Sequence, residues 1–105
     1  MIFAELPLFQ KYLQFTDEEL TAIQEAILEN PRRGDLIPGG RGLRKLRAAI
    51  AGRGRRGGAR VIYYVWNERD RCYLIFAYAK NEQGDLTAAQ LKTLAAVLAK
   101  ELDDG

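Results

Sequence analysis

Two runs rich in branched and aromatic residues, Arg60 to Trp66 (RVIYYVW) and Cys72 to Ala79 (CYLIFAYA), stand five polar residues apart, and this spacing constrains the fold more than any other feature of the chain. Side chains of this kind suit a pleated, packed surface. A link as short as Asn67-Glu68-Arg69-Asp70-Arg71 joins antiparallel strands, because a parallel pair needs a crossover of a dozen residues or more. A β-hairpin is therefore expected at the centre of the molecule.

The flanking segments predict what packs on it. Ile2 to Leu6 reads as a short strand ended by Pro7, and Leu43 to Ala48 as a third strand after the Pro38-Gly39-Gly40 turn. Alternation along that strand places Leu43, Lys45 and Arg47 on one face and Arg44 and Leu46 on the other, carrying basic residues inward. Thr16-Asp17-Glu18-Glu19 has the spacing of a capping box and opens a helix whose apolar face is Leu20, Ile23 and Ile27, stopped by Asn30-Pro31. Thr87-Ala88-Ala89-Gln90 repeats the device before a helix striped by Leu91, Leu94, Ala95, Leu98 and Leu102. At 105 residues the chain supports one core. The expectation is a single domain over residues 1–105, of the α+β class, with a small antiparallel-rich sheet packed against helices.

No stretch approaches the ~20 apolar residues of a membrane span, and the start lacks a basic leader, so a cytoplasmic protein without membrane contact is expected. Cys72 is the only cysteine and sits among apolar neighbours, where it reads as a small buried hydrophobe.

Charge is distributed more tellingly than its net value of +2 suggests. Met1 to Asp35 holds seven acids and three bases, and Glu68 to Gly105 seven acids and five bases. Leu36 to Asn67 holds no acid and eight bases: Arg41, Arg44, Lys45, Arg47, Arg53, Arg55, Arg56 and Arg60. An ordinary solvated face mixes signs, so this segment points to an anionic partner, with phosphate the natural ligand. Its glycine-rich part, Gly52-Arg53-Gly54-Arg55-Arg56-Gly57-Gly58, reads as a basic loop because glycine disfavours a helix.

The absence of histidine removes imidazole bases, His-containing triads and His-based zinc sites, and a single cysteine cannot build a Cys₄ site. No metal or other cofactor is implied. Gly39-Gly40-Arg41-Gly42-Leu43-Arg44-Lys45 lacks the glycine spacing and the hydroxyl of a nucleotide-binding loop. Arg, Lys and Tyr beside a phosphate suit RNA cleavage by attack of a 2′-OH on the adjacent phosphorus, where arginine stabilises charge on the non-bridging oxygens. Arg47 and Arg60 fit that role. Arginine cannot take the 2′-OH proton, which leaves Tyr78 or Lys80, two apart at the end of the last strand, with neighbouring cations expected to lower both pKa values. Tyr63, Tyr64 and Trp66 read as sheet and core packing rather than as stacking platforms.

The string Gly42-Leu43-Arg44-Lys45-Leu46-Arg47, the glycine-rich loop, Ala59-Arg60-Val61-Ile62-Tyr63-Tyr64 and Tyr78-Ala79-Lys80-Asn81-Glu82 together resemble the RelE/HigB toxins of type II toxin–antitoxin systems, nearest the HigB-like branch. The resemblance extends over nearly the whole chain. It implies a compact RelE-like domain that cleaves mRNA on the ribosome, silenced by a cognate antitoxin of the DNA-binding, helix-turn-helix kind. It places the family's basic strand residues on Lys45, Arg47 and Arg60 and its end-of-strand positions on Tyr78, Lys80 and Asn81, so Lys45, Arg47, Arg60, Tyr78 and Lys80 are the catalytic candidates. With Asn81, the basic segment's Arg44, Arg53, Arg55 and Arg56 are the expected RNA contacts. Two other readings share the scaffold: a ParE-like toxin aimed at a topoisomerase, and a non-catalytic RNA-binding module.

Overall fold

The computed structural model describes residues 1–50 and 57–104. In chain order its elements are strand β1 (Ile2–Glu5), helix α1 (Asp17–Glu29), the two-residue strand β2 (Asp35–Leu36), and strands β3 (Arg44–Ala48), β4 (Ala59–Trp66) and β5 (Arg71–Ala79), followed by helix α2 (Ala88–Asp104). The expected hairpin is β4–β5, closed by a single 3₁₀ turn at Asn67–Arg69. The sheet order is β1-β5-β4-β3-β2, with every neighbouring pair antiparallel except β1–β5, which is parallel. The α+β class and the antiparallel-rich sheet are as the sequence predicts.

Both helices begin as their capping boxes specify. Thr16 Oγ1 accepts from Glu19 N at 3.1 Å while Glu19 Oε1 accepts from Thr16 N at 2.9 Å. Thr87 Oγ1 accepts from Gln90 N, and Gln90 Oε1 from Thr87 N, each at 3.0 Å. Asp17, Glu18 and Glu19 in the first turn of α1 also complement the positive end of its dipole.

The helices lie on opposite faces of the sheet rather than in one layer. Ile23 and Ile27 of α1 pack with Leu46, Val61, Tyr63 and Leu74, whereas Leu94 and Leu98 of α2 pack with Ile62, Tyr73, Phe76 and Tyr78. Each such fully buried aliphatic side chain contributes on the order of 1.5–3 kcal/mol. Covered on both sides, β5 is buried from Cys72 to Ala79, which explains why its sequence is uniformly apolar instead of alternating.

One irregularity decides which side chains reach which face. Ile62 pairs with Phe76 but Tyr63 pairs with Leu74, so Ile75 is an extra residue in β5. Such a bulge puts two successive residues on one face and re-phases the strand beyond it. Ile75 and Phe76 accordingly both belong to the α2 side, and Tyr78 follows Phe76 onto it. Strict alternation from Tyr73 would have sent Tyr78 to the α1 side.

Candidate nucleic-acid interface

Strand register brings the basic residues into line. Arg47 of β3 is the cross-strand partner of Arg60 in β4, and Arg60 is the partner of Tyr78 in β5, so three residues form a transverse row over three adjacent strands. Lys45 lies two residues from Arg47, opposite Ile62, on the same face. Like charges directly opposite in a sheet oppose folding, by roughly 0.2–1 kcal/mol for such a pair. The Arg47–Arg60 pairing therefore does not serve stability. The basic strand residues also do not turn inward as expected: Arg47 is exposed and Lys45 and Arg60 are half-buried, because α2 covers the apolar part of this face and leaves the edge near β3 open.

Arg60 is held from its own strand entrance, where Nη1 donates to the Gly57 carbonyl at 2.8 Å and to that of Ala59 at 3.2 Å. Gly58 makes this entrance feasible. Its φ is +65°, and a Cβ there would come within 2.4 Å of the Ala48 carbonyl oxygen, so only glycine fits where β3 and β4 meet. The Gly58 carbonyl in turn accepts from Lys80 N at 3.0 Å, fixing Lys80 just beyond the end of β5. The Lys80 ammonium donates to the Gly84 carbonyl.

Opposite these cations stands an acid that sequence reasoning missed. Lys45 Nζ lies 3.1 Å from Asp85 Oδ1, which also accepts from Leu86 N at 2.8 Å. The Leu86 amide and Lys45 hold the Asp85 carboxyl below the usual carboxylate range, with Lys80 adding to the effect. In the sequence Asp85 stands two residues before the Thr87 capping box and belongs to no charged motif. Its proximity to Lys45, forty positions earlier, is a product of the fold.

Tyr78 is 4% exposed, and among the described residues its hydroxyl is the buried side-chain polar atom without a hydrogen-bond partner. Burial raises its pKa, the Asp85 carboxylate raises it further, and Arg60 opposes them. The expectation that nearby cations lower this pKa is thus corrected, because loss of solvent and a neighbouring anion outweigh one arginine. The Asp85 influence is that of a nearby charge, since no acceptor meets the distance and angle of a formed bond to the phenol.

Not every expected site residue joins this group. Arg44 stands on the α1 face, where Nη1 donates to the Gly34 carbonyl at 2.7 Å and ties the Arg32–Gly34 segment to β3. The period-2 pleat thus sets it on the opposite side of the sheet from Lys45 and Arg47. Asn81 is exposed in the turn after Lys80. Arg53, Arg55 and Arg56 lie outside the described residues. Tyr63 is core as expected, fully buried with its hydroxyl accepting from Gly34 N and donating to the Pro31 carbonyl, both at 2.9 Å. Among the described residues no group of three or more His, Cys, Asp or Glu side chains is placed to hold a metal ion, and no helix is long and apolar enough to cross a membrane.

The fold is thus a small α+β domain that sets Lys45, Arg47, Arg60 and the buried Tyr78 phenol on one face of its sheet. The family model described as the RelE toxin of the RelE/RelB toxin–antitoxin system matches residues 4–104, and the chain belongs to that family. It is accordingly the toxin of a toxin–antitoxin pair, and membership implies an antitoxin partner.

Proposed function

We propose that this toxin is a ribosome-dependent mRNA endoribonuclease of the HigB-like branch, acting in the cytoplasm and silenced by a DNA-binding, helix-turn-helix antitoxin. The observation that carries the reading is the Arg47–Arg60–Tyr78 row with Lys45 beside it. Arg47 and Arg60 grip the non-bridging oxygens of the scissile phosphate, and Lys45 and Lys80 add positive charge at its edges.

In the reaction the 2′-oxygen bonds to phosphorus and the bond from phosphorus to the 5′-oxygen breaks, leaving a 2′,3′-cyclic phosphate and a 5′-hydroxyl. Two proton transfers accompany it. Tyr78, kept protonated by burial and by Asp85, donates to the departing 5′-oxygen. The 2′-OH proton goes to Asp85, the carboxylate of this group and ionised at neutral pH. Lys80, which the sequence offers as a proton acceptor alongside Tyr78, acts here as a donor, as it already does toward Gly84.

The test is controlled expression in growing cells. Arg60→Ala should relieve growth arrest while the purified variant keeps the circular dichroism and melting behaviour of the parent. Unchanged toxicity overturns the assignment. DNA damage with intact mRNA would instead indicate a topoisomerase-directed toxin, and RNA binding without cut ends a non-catalytic module.

A further inference from the structure

Tyr78 also forms part of the wall of an open groove of about 550 Å³, between the segment preceding α1 and the first turns of α2. Tyr12, Phe76 and Tyr78 give it an aromatic wall. The Tyr12 ring meets Phe76 edge-on at 6.1 Å between centroids, and Phe76 meets Tyr78 at 6.2 Å. Tyr12 is 65% exposed, whereas the other two are buried. A single exposed tyrosine needs no explanation. Here, however, the exposed ring is the outer end of a series whose inner end is the register partner of Arg60.

The polar groups suit a flat heteroaromatic ring. The Gln83 and Gln90 side-chain amides are hydrogen-bonded to each other, Gln83 Nε2 also donates to the Asp85 carbonyl, and Gln90 Oε1 also accepts from Thr87 N. They keep one N–H of Gln90 and one lone pair of Gln83 for a ring edge, beside the Glu82 carboxylate that lines the same space. Glu82 disfavours a phosphate inside the groove, so an anion is directed to the cationic row. Lys11 Nζ, 5.5 Å from the Tyr12 ring centroid, places another positive charge near the outer end. An apolar segment of a protein partner would have to bury these amides and the carboxylate, whereas a nucleobase can hydrogen-bond to them.

We propose that the groove is the base-binding subsite for the nucleotide adjoining the phosphate held by Arg60: the base stacks on Tyr12 and presents its edge to the Gln83–Gln90 pair. The proposal rests on the RNA-cleaving reading and adds where that RNA's base is held. It makes Tyr12, Gln83 and Gln90 determinants of sequence preference, which the cationic row cannot supply because every nucleotide carries the same phosphate.

The test uses a short 2′-O-methyl RNA, which cannot be cleaved, and a set of the same oligonucleotide with one base removed at each position in turn. Binding is followed by fluorescence anisotropy across a salt series. Wild-type protein should lose roughly tenfold or more in affinity for one abasic RNA. Tyr12→Ala should lose a similar factor for the intact RNA and no longer distinguish that abasic one, with an unchanged salt slope. Thr93→Phe, which fills the groove from an exposed position on α2, should behave likewise. The subsite is overturned, with the cationic row intact, if all abasic RNAs and both variants bind like their parents while Arg47→Ala weakens binding and reduces the salt slope. Absence of salt-dependent binding to the free RNA, together with no mRNA cleavage on programmed ribosomes, rejects the underlying RNA-cleaving reading itself. If Thr93→Phe leaves RNA affinity untouched but frees the toxin from its co-expressed antitoxin, the groove is a protein-docking site and the subsite proposal fails.

Discussion

Lys45 Nζ and Asp85 Oδ1 lie 3.1 Å apart although forty residues separate them in the chain. The Asp85 side chain is 70% exposed, so the pair adds little to stability and is sensitive to salt. Its significance is positional, since it sets a carboxylate against the cationic row and near the Tyr78 phenol. Asp85→Asn should leave the melting temperature almost unchanged and slow mRNA cleavage by roughly 100-fold or more, the range expected for loss of a proton acceptor. Single-turnover cleavage on programmed ribosomes measures this. RNA affinity of the variant should be equal to or tighter than the parent's, because a negative charge has been removed. A parental cleavage rate would exclude Asp85 from proton transfer.

Alkaline pH should destabilise the fold through three buried neutral acids. Burial pushes the Cys72 thiol up to about 12, and burial likewise raises the Tyr63 and Tyr78 phenols above their usual range. Each group keeps its proton longer in the folded chain than in the unfolded one. Their contribution is thus complete below the unfolded pKa values, near ~8.5 for a thiol and ~10 for a phenol, and is lost as pH rises toward the folded values. Urea melts should show stability declining from about pH 8.5 upward. Cys72→Ala should remove the earliest part of that decline, and the native thiol should resist alkylation at pH 8. A flat stability profile through pH 10 would contradict the buried-neutral assignment.

Gly58→Ala should destabilise by about 1–3 kcal/mol, the cost of a side chain at positive φ, and by more where the new Cβ meets the Ala48 carbonyl. Because Gly58 also receives the Lys80 amide, a variant that still folds should be less toxic. Thermal denaturation and growth assays check the two parts separately. Parental values in both would show that the β3–β4 junction does not need glycine.

What the sequence made legible follows from how local each signal is. Thr16 with Glu19, and Thr87 with Gln90, close capping boxes within four residues, and both form as written. The β4–β5 hairpin needs only two β-prone runs and a short link. Tyr63 was readable as core because it lies within such a run. The remaining features depend on long-range register. The extra residue Ile75 leaves no mark in a run that is apolar on both faces, yet it determines that Tyr78 joins Arg60 and not the α1 side. Strand β2 is two residues long and pairs with β3 only after the turn brings it back. Asp85 gains its place from the fold bringing the segment before α2 against Lys45 of β3.

Cleavage of mRNA on the ribosome by the row of Arg47, Arg60 and Tyr78 leaves a chemical signature in the cell. It is tested most directly by mapping the 5′ ends of cellular transcripts after brief induction. The expected result is new ends with 5′-hydroxyl termini, confined to translated regions at a fixed position relative to the reading frame, and absent with Arg60→Ala. Growth arrest with unaltered transcript ends, or the same ends with Arg60→Ala, would contradict it.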